Sequence, residues 1–147
     1  MTDLSIFKVY LDHEFARMPT KAHPSDSGYD LASCEHVIIP PKQWRVINTG
    51  LKFEIPTGYE IQVRPRSGLA AKKGITVLNT PRNSRSAPIF GLIKVILINH
   101  GEFPFDIVPG DKIAQAVMAP VSNTKLEEID HEPSETDRGS NGFGSTG

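Results

Sequence analysis

Twelve prolines and twelve glycines are spread along the 147 residues of this chain, and they leave little room for anything but short elements. Proline fixes φ and lacks a backbone donor, while glycine weakens any helix or strand that contains it, so both act as punctuation. The pieces between them are rich in β-branched and other apolar residues. Strands are expected at 6–10, 36–39, 44–47, 51–55, 59–63, 76–78, 92–99, 105–108 and 113–119. Tyr59, Ile61 and Val63 alternate with Glu60, Gln62 and Arg64, the period-two pattern of a half-buried strand. Residues 92–98 are nearly all apolar and read as a strand covered on both faces. Pro56-Thr57-Gly58 and Pro109-Gly110-Asp111 supply turns. Many short strands at close spacing predict an all-β sandwich, barrel or jelly roll. One helix is expected over 67–73, where Leu69, Ala70, Ala71, Lys72 and Lys73 favour it and Gly74 stops it.

The length suits a single domain with its own core. Sixteen basic and seventeen acidic residues are well mixed, for a formal charge of −1, which argues against a nucleic-acid polymer as partner. A small anion needs only a local cluster of cations. Cys34 is the single cysteine, so no intramolecular disulfide can form, in keeping with a reducing compartment. No apolar run approaches the ~20 residues of a membrane helix, and the first eighteen residues lack the apolar stretch of a signal peptide. The expected address is the cytoplasm, with no membrane partner. From His131 onward apolar content falls, and composition alone predicts disorder.

Generic catalytic motifs are missing. The chain has no GxxxxGK[ST], no GxSxG and no HExxH, and its five histidines are scattered. One cysteine argues against a structural zinc site. Gly142-Phe143-Gly144 looks like half of a dinucleotide fingerprint without the strand and helix that should flank it.

Five separated segments carry more. They are Ser25-Asp26-Ser27-Gly28-Tyr29-Asp30-Leu31, Pro65-Arg66-Ser67-Gly68-Leu69-Ala70, Gly74-Ile75-Thr76-Val77-Leu78-Asn79-Thr80-Pro81, Gly110-Asp111-Lys112-Ile113-Ala114-Gln115, and the last ten residues, Arg138-Gly139-Ser140-Asn141-Gly142-Phe143-Gly144-Ser145-Thr146-Gly147. In order and spacing they resemble the signature motifs of the trimeric dUTPase family. That resemblance implies a jelly-roll or β-barrel domain over 1–130 and a Gly-rich tail over 131–147 that closes the active site as a flexible lid. It implies hydrolysis of dUTP to dUMP and pyrophosphate, which lowers dUTP and supplies the dTMP precursor. It further implies Mg²⁺ as cofactor and a homotrimer with sites between subunits.

Each segment has a physical reading beside the inherited one. Arg66-Ser67-Gly68 offers a guanidinium, a hydroxyl and an unobstructed amide at a helix start, all suited to phosphate; alone, Ser67 could equally be a helix cap. Gln115 is implied to contact the phosphate chain or its water; alone it reads as a polar residue on a strand's wet face. Asp30 is implied to lie near metal and water, with Mg²⁺ held mainly by the substrate's phosphates; alone it reads as a turn residue. Residues 74–79 are implied to read uracil through backbone groups, and Asn79 could instead merely shape a turn. The resemblance adds Asn83, Ser84, Arg85 and Lys94 to the substrate contacts. It places Phe143 on the base, and Arg138, Gly144, Ser145 and Thr146 on the phosphates.

The third motif departs from the family. After Asn-Thr-Pro the family continues with Gly, Thr, a branched apolar residue and the Asp that serves as general base, then an Asp-Tyr pair whose Tyr packs on the deoxyribose. Here Pro81 is followed by Arg82-Asn83-Ser84-Arg85-Ser86-Ala87-Pro88-Ile89-Phe90, which is one residue longer, and Arg85 stands where the Asp belongs. No carboxylate occurs between Glu60 and Glu102. Two origins are open: true divergence, or a pair of compensating frame changes in the coding sequence. The intact flanking motifs favour the second. The expected activity is dUTP hydrolysis, and the alternative is a weakened or silent dUTP-binding module. A dCTP deaminase and a jelly-roll sugar-binding domain are more distant readings, since neither explains both the hairpin and the Gly-rich tail.

Overall fold

The computed structural model of the chain describes residues 5–80, 82–84 and 91–134. Among them are ten strands and one short helix that buries none of its side chains. In chain order these are β1 (Lys8–Leu11), β2 (Tyr29–Ala32), β3 (Val37–Ile39), β4 (Trp44–Glu54), β5 (Tyr59–Arg64), α1 (Ser67–Lys73), β6 (Ile75–Val77), β7 (Arg82–Ser84), β8 (Gly91–Asn99), β9 (Phe105–Ile107) and β10 (Lys112–Pro120). One sheet runs β1-β4-β8-β6, a second runs β2-β10-β5-β7, and β3 pairs with β9. The all-β expectation holds, although the sheets stay open and do not close into a barrel among the described residues.

The core draws on both larger sheets. Ile47, Leu51 and Phe53 of β4 and Ile93, Val95 and Leu97 of β8 meet Leu31, Ile61, Val63 and Ile113 of the second sheet, all at most 2% exposed. Burying each such side chain contributes about 1.5–3 kcal/mol. Strand β8 shows the alternation clearly: Leu92, Ile96 and Ile98 on its other face are only half-buried, and Lys94 is exposed. Trp44 and Val46, 53% and 47% exposed, stand opposite Ile98 and Ile96. Within one chain, the expected covering of 92–98 on both faces is therefore met on one face, and the other is an open apolar surface.

Two expected strands, 44–47 and 51–55, are in fact one. Asn48-Thr49-Gly50 forms an irregularity inside β4, where the pairing slips from Asn48↔Lys94 to Leu51↔Ile93. The Thr49 hydroxyl donates to the carbonyl of Ile93 at 2.6 Å, and the Asn48 side chain accepts from the amide of Gly50 at 2.9 Å. Gly50 sits at φ +70°, and a Cβ there would fall 2.7 Å from that of His13, so this position takes only glycine without strain.

Strands β2 and β7 were not among those expected. Gly28 and Asp30 suggest a turn locally, yet Asp30 is drawn into a ladder by tertiary pairing on both sides. The helix α1 falls where expected, closed by Gly74 at φ 69°, whose N–H returns to the carbonyls of Ala70 and Leu69. Beyond β10, residues 121–134 form no strand or helix, and from Ser122 on they are exposed, Leu126 completely. No helix among the described residues is long and apolar enough to cross a membrane.

Candidate functional site

The second sheet gathers the second, fourth and first motifs. In an antiparallel ladder, directly opposed residues share a face. Arg64 of β5 stands opposite Gln115 of β10, which stands opposite Asp30 of β2, so three polar residues form one row across three strands. Gly28 makes room for this row: a Cβ there would lie 3.3 Å from that of Gln115 and 3.4 Å from its side-chain oxygen. The Arg64 guanidinium is occupied along its own strand, donating to the Gln62 side chain at 2.6 Å.

Asp30 is no turn-maker. Only 9% exposed, it lies within β2, with its amide donating to the carbonyl of Thr20 at 2.6 Å. Its carboxylate faces two cations: Arg66 Nε lies 3.4 Å from Oδ1, and Lys112 Nζ lies 3.6 Å from Oδ2. Arg66 also donates through Nη1 to the carbonyl of Lys112 at 3.2 Å. Its guanidinium is thus held from two sides by the sheet, just where β5 leads into α1.

The capping alternative for Ser67 fails. Arg66 occupies the cap position with extended backbone and no side-chain cap bond, and Ser67 is the first helical residue. Both Ser67 and Gly68 are exposed, a Cβ on Gly68 would meet nothing within 4 Å, and the first turn carries no acidic residue. An uncapped helix start with a neighbouring guanidinium and open space is suited to receive an anion.

The third motif lies on the other sheet. Strand β6 pairs with β8 and ends in a turn that leaves Asn79 exposed, and the Leu78 amide donates to the carbonyl of Ile96 at 2.8 Å. The expected hairpin over 74–79 is instead a single strand and its turn: β6 pairs with β8, while the intervening β7 crosses to pair with β5. Asn83 and Ser84 stand opposite Gln62 and Ile61 on the backbone of β7. Lys94 is exposed on β8 opposite Asn48. Among the described residues no hydrogen bond or ion pair ties Asn79 to the Asp30 group, so one chain presents the predicted residues as two groups on two sheets. Arg85, Arg138, Phe143, Gly144, Ser145 and Thr146 lie outside the described residues.

Sequence reasoning missed Lys112 as a member of the Asp30 group. It lay inside the fourth motif, but a spacing of three from Gln115 puts the two on opposite faces of a regular strand, so periodicity hides it. A groove of about 570 Å³ between residues 72–74 and 101–105 is lined by Gly74 alone among the predicted residues. Cys34 is buried, its thiol donating to the carbonyl of Asn48 at 3.2 Å; burial first, and the Glu35 carboxylate second, push it up, so it is a poor nucleophile.

For a metal, the described residues offer no group of three or more His, Cys, Asp or Glu. Asp30, the carboxylate at this point, fits a cation such as Mg²⁺ that brings most of its ligands with it.

This geometry agrees with the comparisons. The dUTPase family model matches residues 14–147. The chain belongs to the dUTPase family. Among its relatives, a deoxyuridine 5'-triphosphate nucleotidohydrolase of Nautilia profundicola is 52% identical over 132 residues, 90% of this chain and 92% of that protein. One of Clostridium tetani is 48% identical over 147 residues, 100% of this chain and 99% of that protein. The dUTPase of Staphylococcus bacteriophage 80alpha, solved with dUPNHPP, superposes with a TM-score of 0.84 at 26% identity, covering 98% of this chain and 99% of that one. A variant of the phage phi11 dUTPase of S. aureus, whose structure concerns coordination of a structural Mg(II) ion, superposes with a TM-score of 0.78 at 26% identity, covering 88% of this chain and 100% of that one.

Proposed function

We propose that this chain hydrolyses dUTP to dUMP and pyrophosphate, acting as a dUTP diphosphatase. The observation that carries this is the extent of the match: 48% identity with a dUTP nucleotidohydrolase over the full 147 residues, with a family model that reaches the last of them. The reading assigns the α- and β-phosphates to Arg66, Ser67 and Gly68. Arg66 is held beside the helix start by Asp30 and by the Lys112 carbonyl, from which it turns to the phosphates. Gln115, seated over Gly28, orients the phosphate chain or the attacking water. Asp30, almost fully buried and held by Arg66 and Lys112, would be the carboxylate that faces the metal through water were it bound. The metal, Mg²⁺ held mainly by the substrate's phosphates, supplies charge neutralisation at the reacting phosphorus. Backbone groups of residues 74–79 read the uracil edge, and residues 131–147 close over the nucleotide as a lid, with Phe143 on the base and Arg138, Gly144, Ser145 and Thr146 on phosphate. Asn83, Ser84 and Lys94 complete the substrate contacts.

The test is direct. Purified protein incubated with dUTP and a Mg²⁺ salt should release dUMP and pyrophosphate, slowly for the reason argued in the Discussion, and should leave dCTP unchanged. Deamination of dCTP, or no nucleotide bound at all, would overturn the reading.

The working unit is proposed to be a homotrimer in the cytoplasm. Two features support the assembly: the open apolar face of Trp44, Val46, Ile96 and Ile98, and an exposed C-terminal stretch from Ser122 whose Leu126 is fully exposed. Sedimentation equilibrium should return three times the 16.2 kDa chain mass. Monomer alone at micromolar concentration would sink the trimer and, with it, a lid contributed by a neighbour.

A further inference from the structure

The fourth motif places a cation where a regular strand would not. In a strand, successive side chains alternate faces. Gln115 of β10 shares a face with Asp30, its partner on β2. Counting back three residues along a regular strand would turn Lys112 to the opposite face, away from Asp30. The register slips instead between Lys112 and Ala114, so that Lys112 stands opposite Ala32. Ala32 is two residues from Asp30 and shares its face. The slip is visible in the burial as well: Ile113 and Ala114 are consecutive, and both are at most 1% exposed. An irregularity of this kind adds a residue to one strand and re-aims the side chains beyond it. The outcome is measurable, with Lys112 Nζ 3.6 Å from Asp30 Oδ2.

The same irregularity also engages Arg66, because the Lys112 carbonyl accepts from its Nη1 at 3.2 Å while its Nε faces Asp30 Oδ1 at 3.4 Å. Three side chains from three separate motifs are thereby tied at one point of the sheet. Asp30 holds both cations, one on each oxygen. Arg66 is the one that the proposed reaction asks to engage phosphate. Without Lys112, a buried Asp30 carboxylate that gave up Arg66 to the substrate would be left uncompensated, and that is costly.

Resting on the dUTP reading above, we infer that Lys112 is a positioning residue that acts through Asp30. It keeps the carboxylate paired and in place while Arg66 turns to the phosphates, and the slip in β10 exists to aim it there. Lys112 is 47% exposed on its side chain, so it retains reach and hydration that a fully buried cation would lack.

A double-mutant cycle separates this role from a direct phosphate contact. The probe is the non-hydrolysable imido analogue of dUTP with Mg²⁺ present, and the readout is its dissociation constant by calorimetry. In the parent chain, Lys112→Gln is expected to weaken binding at least about fivefold, whereas in an Asp30→Asn background the same change costs less than about twofold. Lys112→Arg should stay within about twofold of the parent, because it restores the ion pair. Lys112→Met, which retains the aliphatic stem, carries the same test should the Gln variant melt early. Equal losses in both backgrounds would mean that Lys112 touches the nucleotide or merely shapes the strand, and either overturns the inference. No loss in the parent overturns it too. A parent chain that fails to bind the analogue removes the dUTP reading itself, and this inference with it.

Discussion

Replacing residues 82–90 by Gly-Thr-Ile-Asp-Ser-Asp-Tyr-Arg is expected to raise the rate of pyrophosphate release from dUTP by about 10²–10⁴-fold, the usual contribution of a positioned general base. The sequence holds no carboxylate between Glu60 and Glu102, and Arg85 stands where the family's Asp would take a proton from water. A guanidinium cannot accept that proton. Its charge can still attract phosphate, so nucleotide binding should change far less than turnover. The scaffold on either side is ready for the exchange. Strand β7 is joined to β5 through backbone pairing at Ile61, Gln62 and Val63, and β8 resumes at Gly91 opposite Phe53. Thr and Ile suit the pleated surface of β7 at least as well as Asn83 and Ser84 do. Steady-state kinetics on the parent and replaced chains, with the dissociation constant of the imido analogue measured beside them, test the claim. Full-speed hydrolysis by the parent would show that another group serves as base. Asp30 would be the first to consider, although both its oxygens already face cations. A replaced chain that binds but does not turn over would sink the assignment of the base to position 85.

Much of this fold could be read before any coordinates, for local reasons. Tyr59, Ile61 and Val63 carry the strand period in their own chemistry, and α1 is bracketed by good helix formers and a glycine at its stop. What escaped depends on distant partners. Residues 29–32 follow Gly28 and contain Asp30, a residue type common in turns, and nothing local shows that Thr20 and β10 will pair with them. The continuity of β4 was hidden because Asn48-Thr49-Gly50 looks like a break, whereas the Thr49 hydroxyl and a left-handed Gly50 absorb the extra residues without ending the strand. The site follows the same rule. Arg66, Ser67, Asp30 and Gln115 were legible as motif members, but their convergence on one sheet was not. Lys112 was invisible as a partner of Asp30, because a slip in register cannot be counted from spacing alone.

Deleting residues 138–147 is expected to weaken capture of the dUTP analogue strongly while leaving the melting temperature of the ligand-free protein unchanged within ~2 °C, well below the shift that a lost core contact produces. Among the described residues every buried side chain lies before Pro120, and the chain from Ser122 to residue 134 is exposed. The deleted residues carry one aromatic, Phe143, and one cation, Arg138, among four glycines, a composition with little to bury and much to wrap around an anion. Phe143→Ala alone should cost about 1–3 kcal/mol of binding, the range for a base stacked on an aromatic ring, or roughly a fivefold to 150-fold rise in the dissociation constant. Arg138→Gln should act on the triphosphate and leave the stacking term in place, so its effect on binding dUMP should be much smaller than its effect on the imido analogue. Calorimetry with both nucleotides, together with thermal melts of each ligand-free variant, decides the matter. A sharp fall in ligand-free stability on deletion would make the tail part of the fold. Unchanged affinity in Phe143→Ala would take the base contact away from it. In either case the lid would have to be abandoned, and the nucleotide would have to be held by the two sheets alone.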